Sequence, residues 1–189
     1  MSTETTATAL DVKDLTGDYT LDVAHTRLGF VARHAMVTKV RGAFTEFEGS
    51  AHLDFQNPAA STANLTISVK SITTGQNQRD DHLRTNDFFD APTFPEITFT
   101  STDVKVDGDT YQLTGDLTIK DVTKPVTIDF EFTGAAKDPY GNIRAGFDGT
   151  TTIKRSDWGV SWNAALETGG VMVSDKITLE FDVSAIKNA

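Results

Sequence analysis

Residues 126–133 read Val126-Thr127-Ile128-Asp129-Phe130-Glu131-Phe132-Thr133. On a pleated strand, Val126, Ile128, Phe130 and Phe132 fall on one side and Thr127, Asp129, Glu131 and Thr133 on the other. One dry face and one wet face is the pattern of an antiparallel sheet with solvent on a single side. The same ladder recurs in Ile177, Leu179, Phe181, Val183; in Ala63, Leu65, Ile67, Val69; in Tyr111, Leu113, Gly115, Leu117, Ile119; and in Ile143, Ala145, Phe147. Five such ladders predict an all-β fold. Taken alone they allow a sandwich, a packed barrel or a hollow barrel.

Working outward, strands are expected near 18–24, 27–36, 39–48, 49–56, 62–70, 96–106, 110–119, 124–134, 143–154 and 175–184. Asp107-Gly108-Asp109 and Asp138-Pro139-Tyr140-Gly141-Asn142 carry hairpin chemistry. Gly49 interrupts a ladder and is expected to mark a bend or bulge. Two stretches break the β rhythm. Residues 76–90 predict a short helix ended before Pro92 and Pro95. Residues 155–170 open on the capping residues Ser156 and Asp157 and close on Gly169-Gly170. Excursions of that length in a compact domain tend to carry function, and here they would serve as lids or side walls.

At 189 residues the chain is read as one domain, residues 17–189, after a polar Thr-rich tail at 1–16. The net charge of −10 argues against a nucleic-acid partner. The absence of cysteine removes disulfides and thiol chemistry. The opening residues carry neither a basic n-region nor an apolar h-region, and no apolar run reaches membrane-spanning length, so a cytoplasmic protein without a transmembrane segment is expected.

Catalytic signatures are lacking. There is no G-x-S-x-G elbow and no glycine-rich phosphate loop, and the four histidines are too scattered for a metal site. His34 continues the face of Leu28, Phe30 and Ala32 near a strand end, where a hydrogen-bonded rim histidine is the usual finding. Arg79-Asp80-Asp81-His82-Leu83-Arg84 reads as an ion-pair network fastening an insertion rather than a metal site. The aromatics are more telling: Phe88, Phe89 and Phe94 cluster in the first insertion, Trp158 and Trp162 in the second. Each could simply cap the core. Together they place bulky apolar surface where a barrel mouth would need covering.

Several motifs then align in order over roughly residues 18–186. Tyr19-Thr20-Leu21-Asp22, Phe30-Val31-Ala32-Arg33-His34 and Val40-Arg41-Gly42-Ala43-Phe44 open the series. Ser71-Ile72-Thr73-Thr74-Gly75, the Arg79–Arg84 cluster, Asp87-Phe88-Phe89 and Phe94-Pro95-Glu96-Ile97 follow. Val122-Thr123-Lys124-Pro125, Arg144-Ala145-Gly146-Phe147 and Arg155-Ser156-Asp157-Trp158-Gly159 complete it. This set resembles the YceI-like family. The resemblance implies a lipocalin-like, eight-stranded antiparallel barrel with short helical insertions, holding a polyisoprenoid, an isoprenoid quinone or another long-chain lipid for transport or storage. It implies a homodimer and no cofactor beyond the bound lipid. Asp121 departs from the family, whose members commonly carry a small residue in that turn.

On this reading Arg79, His82, Arg155 and His34 are the candidates for the lipid head group. Phe30, Phe44, Phe88, Phe89, Phe94, Phe99, Phe147, Trp158 and Trp162 are the candidates for the tail wall. No residue is assigned to catalysis or to a metal. The alternatives are an enzyme acting on a hydrophobic substrate inside the barrel, with His34 as its visible acid–base candidate, and a ligand-free structural or stress-response module.

Overall fold

Alternation along each strand sets which side chains face inward, and the hairpin links set which strands meet. The structure, a computed structural model, describes residues 10–167 and 169–189. Among these, the strands are β1 (Gly17–Leu21), β2 (Arg27–His34), β3 (Thr38–Phe44), β4 (Phe47–Leu53), β5 (Thr62–Ser68), β6 (Ile72–Thr73), β7 (Glu96–Asp107), β8 (Thr110–Ile119), β9 (Val122–Lys137), β10 (Ile143–Lys154) and β11 (Lys176–Lys187). Two helices accompany them, α1 (Val12–Leu15) and α2 (Asn77–Leu83).

Eight staves close into an antiparallel barrel. β1 and β2 lie end to end along β11, through Tyr19↔Lys187 and Leu179↔Phe30. β3 and β4 likewise form one stave, pairing with β2 and β1 respectively. β5 and β6 form the third, and β7 to β11 follow singly, each hydrogen-bonded to the next. Consecutive staves are therefore neighbours, and pairing of β11 with β1 closes the barrel. No helix among the described residues is long and apolar enough to cross a membrane.

The expected bend at Gly49 is found elsewhere. Gly49↔Leu65 sits in unbroken register, whereas the stave breaks at Thr45-Glu46. Buried Ser71 holds that kink, accepting from the Thr45 N–H at 3.2 Å and donating to the Ser68 carbonyl at 2.7 Å. Gly49 is small for another reason: a Cβ there would come within 3.2 Å of Leu21 and 3.1 Å of the Asn64 carbonyl. A true register shift lies between Ser101 and Asp103 and another between Gly146 and Phe147.

Of the expected tail, residues 1–9 lie outside the described residues. Residues 12–15 belong to the fold: Leu15 is buried, and its carbonyl accepts from the Tyr19 hydroxyl. The first insertion contains the helix predicted within 76–90, as α2. The second holds a 3-10 turn at Arg155–Trp158, closed by Gly159 at φ 77°.

The β8–β9 hairpin turns on Lys120 and Asp121, at φ 51° and 64°. Two left-handed residues define a type I′ turn, a geometry glycine adopts without its Cβ penalty. Asp121→Gly is expected to stabilise the protein by about 0.5–1 kcal/mol, the left-handed penalty less the extra chain entropy of glycine. A rise in Tm of about 2 °C by calorimetry would register it, and an unchanged or lower Tm would contradict it.

Candidate functional site

Inward-facing Leu65, Leu113, Phe130, Phe147, Leu179 and Phe181 sit in mid-strand, where a packed barrel would bury them, yet they are only partly buried. They look onto a cavity of about 340 Å³ inside the barrel. Its lining runs along β11 from Ile177 to Ala185. Eight residue steps at about 3.3 Å each, tilted as barrel strands are, give a length of roughly 20 Å. The lining is almost wholly carbon, and Arg155 and Asp54 are its charged residues.

Three cross-strand arrangements keep the bore open. Phe30 lies over Gly42 and Phe130 over Gly149, each directly opposite in register, while Phe99 lies over Gly115. A Cβ would meet the Phe30 ring at 2.2 Å, the Phe130 ring at 2.4 Å and the Phe99 ring at 2.4 Å. Each glycine therefore lets a phenylalanine lie flat along the wall instead of projecting into the lumen.

The two insertions cover one end. Phe88, Trp158 and Val160 are buried there with Ile72 and Ile119. The Trp158 indole donates to the Leu117 carbonyl at 2.9 Å, anchoring the second insertion on β8. The other end is partly covered by Phe55, from the β4–β5 link, with ring centroids 5.1 Å from Phe132 and 6.4 Å from Phe147.

Arg155 stands at the capped end, 7% exposed. Its Nε donates to the Ser174 carbonyl at 2.9 Å. Its Nη1 donates to the Val160 and Trp162 carbonyls at 2.7 and 2.9 Å, and its Nη2 to the Val173 carbonyl at 3.2 Å. Four of the five N–H donors of a guanidinium thus hold the second insertion in place, and one is left over. Burial pulls the Arg155 pKa below its ordinary value, while the charge of Asp175 opposes that shift. The Asp175 carboxylate is engaged elsewhere, by the Ser156 N–H and hydroxyl at 3.0 and 2.9 Å. The result is a positive charge beside an apolar cavity with no carboxylate bonded to it.

The structure brings some of the named candidates together and separates others. Arg155, Phe30, Phe44, Phe88, Phe89, Phe99 and Phe147 all line the cavity. Arg79, His82, His34, Phe94, Trp158 and Trp162 do not. Arg79 donates to the Thr74 hydroxyl and carbonyl at 2.6 and 2.9 Å, fastening α2 to the end of β6. His82 bonds Asp87 at 2.8 Å, and its ring meets Phe88 and Trp162 edge-on, joining the two insertions to each other. His34 is exposed at the β2–β3 turn. Tyr19, Phe55, Tyr111, Phe130 and Phe181 also line the cavity and were not among the candidates. Phe130 and Phe181 belong to the ladders that announced the fold and could have been named from their parity. Phe55 gave no such signal.

A second charged cluster lies on the wall. Arg144 donates to Asp22 and, at 2.9 Å, to Asp138, tying the β9–β10 hairpin to the turn after β1. The Arg144 hydrogen bond lowers the Asp22 pKa against the opposing effect of burial. For Asp138, burial acts upward, but N–H groups of Asn142 and Tyr140 and the Arg144 guanidinium outweigh it, so its pKa is also lowered. Depressed carboxyl pKa values stabilise the fold above the unfolded value near ~4, and that stability is lost as pH falls through the folded values. Arg144→Ala is therefore expected to lower stability at pH 7 and to flatten the decline in stability as the pH falls below about 4. Urea unfolding across that range would refute this if both proteins lost stability in parallel.

Comparisons with known proteins agree with this architecture. The YceI-like domain pattern matches residues 19–185. Protein YceI of Escherichia coli O6:H1 is 41% identical over 145 residues, 76% of either chain. The crystal structure of Burkholderia cenocepacia BcnA superposes with a TM-score of 0.76 at 29% identity, covering 87% of this chain and 98% of that one. A polyisoprenoid binding domain from Saccharophagus degradans shares the fold with a TM-score of 0.68 at 18% identity, over 90% and 98% of the two chains. With the matched pattern running from the first stave to the last, this chain belongs to the YceI-like domain family.

Proposed function

We infer that the protein binds a long apolar amphiphile of the polyisoprenoid class inside the barrel and carries or stores it without converting it. The observation that carries this reading is the carbon-lined cavity, roughly 20 Å long, with a single cationic group at its capped end. Each methylene taken from water into such a space contributes about 0.8 kcal/mol, so a tail needs no specific bond. A head group does, because a buried polar atom without a partner costs about 1–3 kcal/mol. The fifth N–H of Arg155 and its excess charge suit an electronegative head, such as a quinone carbonyl or a phosphate. The shared fold of the Saccharophagus degradans polyisoprenoid binding domain supports the tail chemistry.

Conversion of a substrate would require a general acid or base at the lumen. The titratable side chains in the described lining, apart from Arg155, are Asp54 and two tyrosines. The Tyr19 hydroxyl already donates to Leu15, and burial raises its pKa. The test is organic extraction of the purified protein followed by mass spectrometry. An isoprenoid present near one molecule per chain is the expected result. An empty barrel that takes up no added prenyl quinone would overturn the reading.

A further inference from the structure

The β2–β3 hairpin projects from the capped end and has two unusual properties. Its turn residues Ala35 and Met36 hold φ 52° and 62°, left-handed positions taken by non-glycine residues. Its tip is apolar and open to solvent, with Met36 at 56% and Val37 at 75% exposure. Exposed Val171 lies beside it, since the next residue, Met172, accepts the Ala35 N–H at 2.7 Å. A soluble hairpin tip ordinarily carries polar or glycine residues here.

Behind the tip runs a row of cations on the outer face. Arg33 stands directly opposite Lys39, and Lys154 directly opposite Lys176. Lys176 and Arg33 are each two residues beyond the paired Thr178 and Val31, on the same face. All four are exposed, and the ion pairs among the described residues do not include them. Arg41, one step further along β3, reaches Glu180 at 3.8 Å. Asp175 lies near Lys154 but is held by Ser156. Like charges directly opposite on neighbouring strands destabilise a sheet. Two such pairs in adjacent staves gather four exposed cations on the outer face of a chain of net charge −10.

We propose that this end of the barrel docks on an anionic lipid bilayer, with Met36 and Val37 entering the interface and Arg33, Lys39, Lys154 and Lys176 meeting lipid phosphates. An apolar tip flanked by basic residues is the pairing that interfacial anchors use. A nucleic acid or an acidic protein would match the cations but leave Met36 and Val37 without a place. Docking in this pose turns the capped end, with its two insertions and Arg155, toward the lipid. The surface does not depend on what fills the lumen, so vesicle binding and lumen occupancy report on separate propositions.

Flotation with vesicles of phosphatidylcholine alone, and of phosphatidylcholine with phosphatidylglycerol, tests it. Binding is expected on the anionic vesicles, weak on the neutral ones, and abolished by high salt. Arg33→Gln with Lys39→Gln should weaken it about 25-fold, from roughly fivefold per cation removed. Met36→Gly separates docking from folding, because it relieves the left-handed strain while removing an apolar side chain. Its Tm should rise while vesicle binding falls. No binding to anionic vesicles, or binding that both variants leave unchanged, would overturn the proposal. A concentration-dependent dimer lost in Met36→Gly without any vesicle binding would do so too, and would give the surface to a second copy of the chain.

Discussion

Gly149→Ala is expected to lift the Phe130 ring off the wall and into the barrel, cutting bound lipid at least about tenfold, or ~1.4 kcal/mol of affinity. The alanine Cβ would lie 2.4–2.5 Å from two Phe130 ring carbons, so the ring has to move. In a packed core such crowding costs roughly 1–3 kcal/mol of stability. Here the ring is displaced toward the cavity rather than into packed neighbours, so most of the penalty should fall on lipid binding. Lipid recovered by extraction should drop while the urea midpoint shifts little. Gly115→Ala is the useful contrast, because its Cβ would also lie 2.6 Å from the Thr100 backbone carbonyl, which has no such escape. That variant should lose stability as well as lipid. Full lipid occupancy in Gly149→Ala would mean that Phe130 does not set the bore.

Arg155→Met should destabilise the protein by about 3–5 kcal/mol. Four carbonyls, of Val160, Trp162, Val173 and Ser174, lose their donor at once, and at the capped end methionine can offer none. For a chain of 189 residues this corresponds to a fall in Tm of roughly 10 °C. The loss should be local first. Amides of the second insertion should exchange faster than those of β9 and β10, because the guanidinium gathers carbonyls from both ends of that segment. Arg155→Lys keeps the charge with a single nitrogen and should fall between the two. If it restores lipid binding but not stability, the charge serves the ligand and the fork serves the fold. A Tm for Arg155→Met within about 2 °C of the parent would remove the residue from its structural role, and unchanged lipid occupancy would remove it from the ligand.

Much of the barrel was legible along the chain. The ladder at 126–133 faced the way its parity required, and the strands at 110–119 and 143–154 fell where the turn residues bounded them. Errors came where hydrogen bonds outside the strand decide the geometry. The kink at Thr45-Glu46 depends on Ser71, more than twenty residues away, so the local signal at Gly49 misled. The site was less legible. Arg79 and His82 carry chemistry that suits a head group, but Thr74 and Asp87 use it to build the insertion. Phe55 follows β4 in a loop, and only closure of the barrel sets it over Phe132 and Phe147.

The sequence by itself determined which side chains face inward, because a period of two leaves a strand no other way to bury one face. It determined too that two aromatic segments interrupt the staves. Only the tertiary structure decided that the barrel is hollow. Room inside depends on Gly42 lying under Phe30, Gly115 under Phe99 and Gly149 under Phe130, and those partners meet through pairing between strands. A one-dimensional pattern records the parity of each strand but not its register against the next. Register is what separates a filled barrel from a container.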